Sequence, residues 1–501
     1  MNGKLLVNNT TLLIKSFWLG GFGSVALLIG GLILKEFIIS SFDSRTVGEL
    51  FYFQSVVAIV IFLCSLGSVD TVVFFCARRI SSFYHELNLA PLLIVVFFLS
   101  AAIIYSSSIF FPLIAQSELK NFDSVSIVIF VLCVAFARFL AQIVGSLYQS
   151  RGRNDLKILM TELFPLLIFS CFAVLSSFGW IFEGASLYGL WGMASIAISI
   201  IFLGRIIKWI TVIFSFRAIR CHNRYKSYYT MSVANTLASY PLTLFPVFIG
   251  ELLGLNVVTE YTALLIFPVL IAVPASIIEA TVGSRWAELV RGKEKNYAKI
   301  FCEYRKVSRY TVFTAICVCS FLIGHSEALL QVFFDGIIQA FLDEFRVLCV
   351  IFLLILLFGP QEAALKSSGR LDVIFISRLS VGVSAAIGFF AFRDSGISGV
   401  IAAYAVSAVV GAVVYAFAVF KIFTFFPGPS NFGRIILFCL LCLVGNLGIA
   451  SYGVNDSYFS IFTSGGYCLV FDLLIGWFCY PFSYLEKKKF LKLNWVLGKG
   501  R

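Results

Sequence analysis

Apolar residues in this chain come in blocks of about 20, and that block length limits what the chain can fold into. At ~1.5 Å of rise per residue, a block of this size crosses the ~30 Å hydrocarbon layer as one helix. Leu92–Leu113, Ile127–Leu147 and Arg434–Ala450 are examples. Inside a bilayer every backbone polar group needs an internal partner, so only helices and closed barrels span it. Barrel strands alternate in polarity and run ~10 residues, a pattern these blocks do not have. A soluble fold is excluded by quantity. Of the 501 residues 60% are hydrophobic and 13% are charged, against roughly half and a quarter in globular domains.

Window length and breakers predict fourteen spans: 16–40, 47–70, 89–113, 124–148, 157–181, 186–214, 230–254, 258–282, 308–332, 341–366, 372–392, 397–423, 432–452 and 460–484. The charges between them give an independent check. Of 38 Lys and Arg, 32 fall in the segments on one side of this arrangement. The other side holds five: Lys35, Arg45, Lys120, Arg346 and Arg393. Arg138 lies within a span. Positive charge accumulates on the cytoplasmic side, so both termini are expected in the cytoplasm. A missed span would scramble the asymmetry. The net charge of +12 therefore sets orientation and does not point to nucleic acid. No A-x-A site follows the first span, which reads as a retained helix. The basic connector Gly283–Arg309 is expected to lie along anionic headgroups as an amphipathic helix.

Reactive groups are sparse. The 13 Cys lie mostly within apolar blocks and read as small buried hydrophobes, Cys317 and Cys319 included. His85, His222 and His325 are far apart, so no metal site is expected. There is no Ser-His-Asp set and no phosphate-cradling glycine loop with GK[ST]. Neither an enzyme, an ATP site nor a cofactor is expected. An internal repeat is present. Ser150, Gly152, Arg153 and Asp155 match Ser367, Gly369, Arg370 and Asp372 at a constant offset, with six spans between the copies. An even number of spans keeps both copies on one side of the membrane, so the repeat is parallel. Two six-helix halves with a substrate path between them are a transporter signature.

Several stretches carry a family likeness. Span 2 leaves through Leu66-Gly-Ser-Val-Asp-Thr-Val-Val-Phe-Phe-Cys-Ala-Arg78, and span 4 through Tyr148-Gln-Ser-Arg-Gly-Arg153. Span 7 opens on small polar residues, Ser232 to Ser239, and runs into Gly250–Gly254. Span 8 carries Pro268 and Pro274 ahead of the basic connector. In these the chain resembles the multidrug/oligosaccharidyl-lipid/polysaccharide exporter superfamily, and within it the polysaccharide (O-antigen and exopolysaccharide) flippases. The likeness runs through the first twelve spans, to about Phe425. It implies an all-α polytopic membrane protein with two parallel six-helix bundles, 1–220 and 221–425, in a V around a central cavity. Residues 426–501 would be an extra helix pair with a basic cytoplasmic tail. The implied work is moving an undecaprenyl-diphosphate-linked oligosaccharide from the cytoplasmic to the outer leaflet of the bacterial inner membrane, for surface polysaccharide. Implied partners are that lipid-linked sugar, membrane lipids, a polysaccharide polymerase and chain-length proteins. The alternatives are an ion-coupled multidrug antiporter of the same superfamily and, more weakly, a membrane-embedded polysaccharide polymerase. An antiporter for cationic drugs would need an acidic, aromatic cavity. A polymerase would need a large outer loop, which the chain lacks.

Arg138 is the sharpest single feature. It lies 13 residues before Arg151, or about 20 Å from the cytoplasmic helix end. A charge at that depth costs at least ~2.5–3.5 kcal/mol, so it should face protein or water. Gln142, Gly145 and Gln149 follow on the same helix face. Arg138 then either meets substrate phosphates, which guanidinium binds bidentately, or pairs a carboxylate between helices. The corresponding positions of span 10, Ile355, Gly359, Glu362 and Lys366, lack an arginine. Arg78, Arg205 and Lys208, at inner helix ends, either attract a diphosphate headgroup or anchor their spans. Asp70, Glu162 and Glu279 are candidates for proton coupling, with interfacial salt bridges or caps as the other reading. Asp472, in the last span, reads as structural.

Overall fold

The computed structural model describes residues 30–31, 33–35, 37–65, 124–150, 156–157, 159–178, 187–197, 234, 245–273, 275, 286, 297–334, 339–357, 361–368, 370–423, 432–451 and 458–479. Among these residues the regular structure is helical and there is no strand. The helices are α1 (Ser44–Ser65), α2 (Ser124–Ser150), α3 (Phe164–Ser177), α4 (Leu187–Ala197), α5 (Phe245–Leu253), α6 (Leu255–Ile266) and α7 (Tyr297–Gly324). They continue as α8 (Ser326–Phe334), α9 (Leu342–Leu356), α10 (Gln361–Ser368), α11 (Leu371–Phe392), α12 (Gly396–Phe423), α13 (Phe432–Ser451) and α14 (Tyr458–Cys479). Cys302–Gly324 and the stretch Leu371–Lys421, which holds α11 and α12, combine membrane-crossing length with strong apolarity.

The outward faces show which solvent the chain is built for. On α11 the exposed large side chains before its last turn include Ile376, Leu379, Val383, Ile387 and Phe390. On α12 they are Val406, Val409, Val413, Phe417 and Phe420. Steps of three and four place each set on one helix face. A soluble helix puts charge there. Here the outer stripe is as apolar as the inner one, which is the arrangement a lipid-facing helix needs. α13 repeats it with Ile436, Leu440, Val444 and Leu447.

The chain divides into two compact units. One comprises Met1–Ala263, Ala280–Lys293 and Leu365–Gly411; the other comprises Leu264–Glu279, Glu294–Ala364 and Ala412–Arg501. In the first, Phe389 meets Phe245 edge-on at 5.6 Å, and the missing side chain of Gly388 lets α11 close on Ala403 of α12. In the second, Phe267 sits among Phe333, Phe334 and Phe345, with centroids 5.1–6.3 Å apart. Phe313 of α7 stacks on Phe438 of α13 at 5.2 Å.

Helix ends follow local chemistry. Asp43 caps α1: the Thr46 amide donates to Oδ2 at 3.1 Å and the Thr46 hydroxyl to Oδ1 at 2.5 Å. These two bonds, hydroxyl first, hold the exposed carboxyl below its ordinary range. Its stabilising effect is therefore present above the unfolded value of ~3.9 and is lost as pH falls through the lower folded value. Asp43→Ala is expected to cost about 1 kcal/mol at neutral pH. Unfolding curves of variant and parent should converge on acidification. Gly254 ends α5 at φ 100°, and its amide reaches the carbonyls of Ile249 (3.1 Å) and Gly250 (3.2 Å). That left-handed turn suits glycine and leads directly into α6.

Three expectations are corrected. The connector 283–309 is not a separate surface helix along its whole length, because α7 begins at Tyr297 and carries the basic residues from 299 to 309 into span 9. No proline or glycine interrupts the sequence between Tyr297 and Leu322. Tyr304 and Ser308 are fully buried while Lys306 is exposed, so this part of the helix is amphipathic but packed on protein. Span 10 is two helices, α9 and α10, with Gly359-Pro360 between them. Proline has no amide for the ladder and belongs at a helix start. Span 8 likewise breaks after Ile266, where Pro268 forces short-range bonds, Leu270 to Phe267 and Ile271 to Pro268.

Candidate functional site

Arg138 is the fifteenth residue of the 27-residue α2, so about 21 Å from one end and 18 Å from the other. Its side chain is half-buried. Three neutral groups are among its contacts. Nε donates to Ser195 Oγ of α4 at 3.1 Å, Nη1 donates to the Thr161 carbonyl at 3.4 Å, and the guanidinium lies 4.9 Å over the Trp191 ring. Each partner has a local cause. Ser195 follows Trp191 by four, so hydroxyl and indole share one face of α4. The Ser195 hydroxyl donates to the Trp191 carbonyl at 3.0 Å, which leaves its lone pairs for Arg138.

The Thr161 carbonyl is available because of Pro165. In a regular helix the amide four residues on would bond it, and proline has none. The segment Leu159–Leu163 accordingly winds as a π turn, with Pro165 in the first turn of α3. Such turns recur at functional sites. Gly145 on α2 lets this turn approach. A β-carbon there would meet Thr161 Cγ2 at 2.9 Å and Lys157 Cγ at 3.1 Å. Arg138 thus ties α2, the π turn and α4 within one unit.

Of the other expected site residues, Gln142 is half-buried one turn from Arg138, and Ser146 bonds back to its carbonyl at 2.7 Å. Gln149 and Glu162 are described only as helix backbone. Arg78, Arg205, Lys208, Asp70 and Glu279 lie outside the described residues. The expected span 10 stripe falls on two helices, Ile355 on α9 and Glu362 with Lys366 on α10, where Tyr415 donates to Glu362 at 3.5 Å. The second repeat copy forms a compact turn, with Arg370 donating to both oxygens of Asp372 at 3.0 and 2.8 Å.

Sequence reasoning missed a carboxylate. Glu251 on α5 accepts the Tyr52 hydroxyl of α1 at 2.5 Å, 199 residues away in sequence. The signal was an acidic residue inside the apolar run Phe245–Leu253. Tyr52→Phe removes one donor from a carboxylate within a span. It is expected to lower stability by about 1–3 kcal/mol, read as a lower melting temperature of the purified protein.

Comparison with solved structures bears on the fold. An outward-facing multidrug resistance MATE family transporter of the MOP superfamily is 15% identical, with a TM-score of 0.57 over 82% of this chain and 95% of that one. An inward-facing multidrug resistance MATE family transporter is also 15% identical, with 0.57 over 81% of this chain and 98% of that one. A further MATE structure, in the straight conformation, is 15% identical, with 0.57 over 82% and 96%. The chain has the MATE transporter fold. It is an all-α, multi-pass membrane protein. No protein-family model matches the sequence, and comparison with curated proteins finds no match.

Proposed function

We propose that this MATE-fold chain is a flippase of the bacterial inner membrane. It carries an undecaprenyl-diphosphate-linked oligosaccharide from the cytoplasmic to the outer leaflet for surface polysaccharide synthesis. Both termini lie in the cytoplasm, and two six-helix bundles, 1–220 and 221–425, precede an extra helix pair. The observation that carries this reading is Arg138, a half-buried guanidinium near mid-span with Ser195, the Thr161 carbonyl and the Trp191 ring among its contacts. A diphosphate crossing the bilayer must exchange hydration for paired charge. A planar guanidinium supplies two donors per phosphate in fixed geometry. Gln142 and Gln149 extend the polar face along the path of the sugars. Arg78, Arg205 and Lys208 gather the headgroup at the cytoplasmic side. Asp70, Glu162 and Glu279 serve proton coupling. The polymerase and chain-length proteins take over at the outer face.

The second reading is a multidrug antiporter, favoured by the described function of the fold neighbours. One experiment separates the two. Deletion of the gene should accumulate lipid-linked repeat units on the cytoplasmic side, abolish surface glycan and leave susceptibility to cationic drugs unchanged. Normal surface glycan with heightened drug sensitivity would reverse the assignment.

A further inference from the structure

The second unit holds a buried polar pair that the transport reading does not use. Asp472 of α14 is 1% exposed and Asn446 of α13 is fully buried. Asn446 Nδ2 donates to Asp472 Oδ2 at 3.3 Å. The other oxygen of each side chain, Asp472 Oδ1 and Asn446 Oδ1, is also buried and finds no nitrogen or oxygen donor among the described residues. Two acceptors without such a donor, on two side chains already joined by one bond, are an incomplete pair. An ionised carboxylate is acceptor-only and cannot complete it; a protonated one gains an O–H donor. Buried polar groups are satisfied as a rule, so the unfilled Asn446 Oδ1 beside a carboxyl oxygen calls for the missing atom.

We propose that Asp472 and Asn446 form a proton-binding site within the C-terminal helix pair. The proton taken from water sits on Asp472 Oδ1 and is donated to Asn446 Oδ1, which closes a ring of two hydrogen bonds between acid and amide. The proton gives the buried Asn446 Oδ1 the donor it lacks and adds to the weak thiol contact of the acid. The surroundings suit a neutral pair. The titratable groups facing Asp472 are thiols: Cys442 of α13, whose S–H is a weak donor to the carboxyl, and Cys468 of α14, with Cys317 of α7 beside Cys442. Gly324 of α7 packs on the Asn446 backbone, where a β-carbon would come within 3.1 Å of its carbonyl carbon, and Gly445 admits the Phe471 ring. Asp472 lies 14 residues into the 22-residue α14, about 21 Å from one end and 10 Å from the other. Release of the proton leaves an acceptor-only carboxylate beside an amide oxygen, which water or a separation of α13 from α14 must then relieve. Occupancy of the site therefore governs how these helices pack. In the transporter proposed above, Asp472 would be the group through which a proton gradient acts on this unit. That extension rests on the transport reading; the proton site does not.

Infrared spectroscopy of the purified full-length protein in lipid tests the site without any substrate. At neutral pH the parent should show the carbonyl stretch of a protonated carboxylic acid, shifted in D2O and absent from Asp472→Asn. Identical spectra in that region for parent and Asp472→Asn overturn the proposal. Should Asp472→Asn fail to fold, Asn446→Leu carries the test. The same band must move to higher frequency as its acceptor is lost, and an unmoved or missing band overturns the proposal equally.

Discussion

Arg138→Ala is expected to abolish surface glycan while leaving most of the protein in the membrane. The two halves of that expectation come from different energies. A charge-assisted hydrogen bond to phosphate is worth about 1.5–3 kcal/mol, so losing a bidentate contact lowers transport by roughly ten- to a hundred-fold or more. The folded state loses less. Arg138 gives up its bonds to Ser195 and the Thr161 carbonyl and its place over Trp191, of which the cation–π contact is worth roughly 0.5–2 kcal/mol. It also sheds the cost of holding a charge at mid-span, at least ~2.5–3.5 kcal/mol. Arg138→Lys keeps the charge without the planar fork and should transport at an intermediate level. Ser195→Ala removes an orienting partner and should weaken transport less than Arg138→Lys. The measurements are surface glycan, cytoplasmic-side lipid-linked repeat units and membrane abundance of each variant. Normal glycan from an abundant Arg138→Ala protein would make Arg138 a bridge between helices and nothing more.

What the sequence disclosed, and what it hid, divides along the same physical line. Span positions were legible because a ~20-residue apolar block is a long, redundant signal. The predicted 124–148, 372–392, 397–423 and 432–452 coincide with α2, α11, α12 and α13 to within about three residues. Arg138 was legible for the converse reason, as a lone charge where charge is costly. Its partners were not. Thr161 and Trp191 are unremarkable residues on other helices, and only tertiary packing brings them together. A local clue did exist, since Pro165 four residues on frees the Thr161 carbonyl. Helix interruptions were under-read where a single proline sat within a long apolar block, at Pro268 and Pro360. Hydropathy averaged over a window of about 19 residues cannot register one missing amide. Asp472 was visible, but its unfilled pairing with Asn446 depends on the register of two antiparallel helices and was invisible to spacing.

The largest expected effect on folding belongs to a glycine that touches none of these groups. Gly48 lies in the first turns of α1, flanked by buried Val47 and Leu50. A β-carbon there would fall on the Leu255 carbonyl oxygen and lie 2.8 Å from the Leu255 carbonyl carbon. The obstacle is backbone, so no rotamer change can relieve it. It is also pinned. Leu255 follows the Gly254 turn, whose φ of 100° and two amide bonds fix the path of the chain. One turn further on, the Thr259 hydroxyl donates to the Ser44 carbonyl at 2.8 Å. Moving Leu255 away to admit a side chain must therefore break that bond and separate α1 from α6. Overpacking costs about 1–3 kcal/mol where side chains can yield, and a backbone clash belongs at or above the top of that range. Gly48→Val should leave little folded protein in the membrane. Gly466 of α14 is the control, because nothing stands within 4 Å of its added β-carbon. Gly466→Ala should be neutral or gain up to about 1 kcal/mol from helix propensity. Melting temperature and detergent-extracted monodisperse yield read both. Equal yields from Gly48→Val and the parent would mean that α1 and α6 do not meet at Leu255, and that the tie between Ser44 and Thr259 does not form.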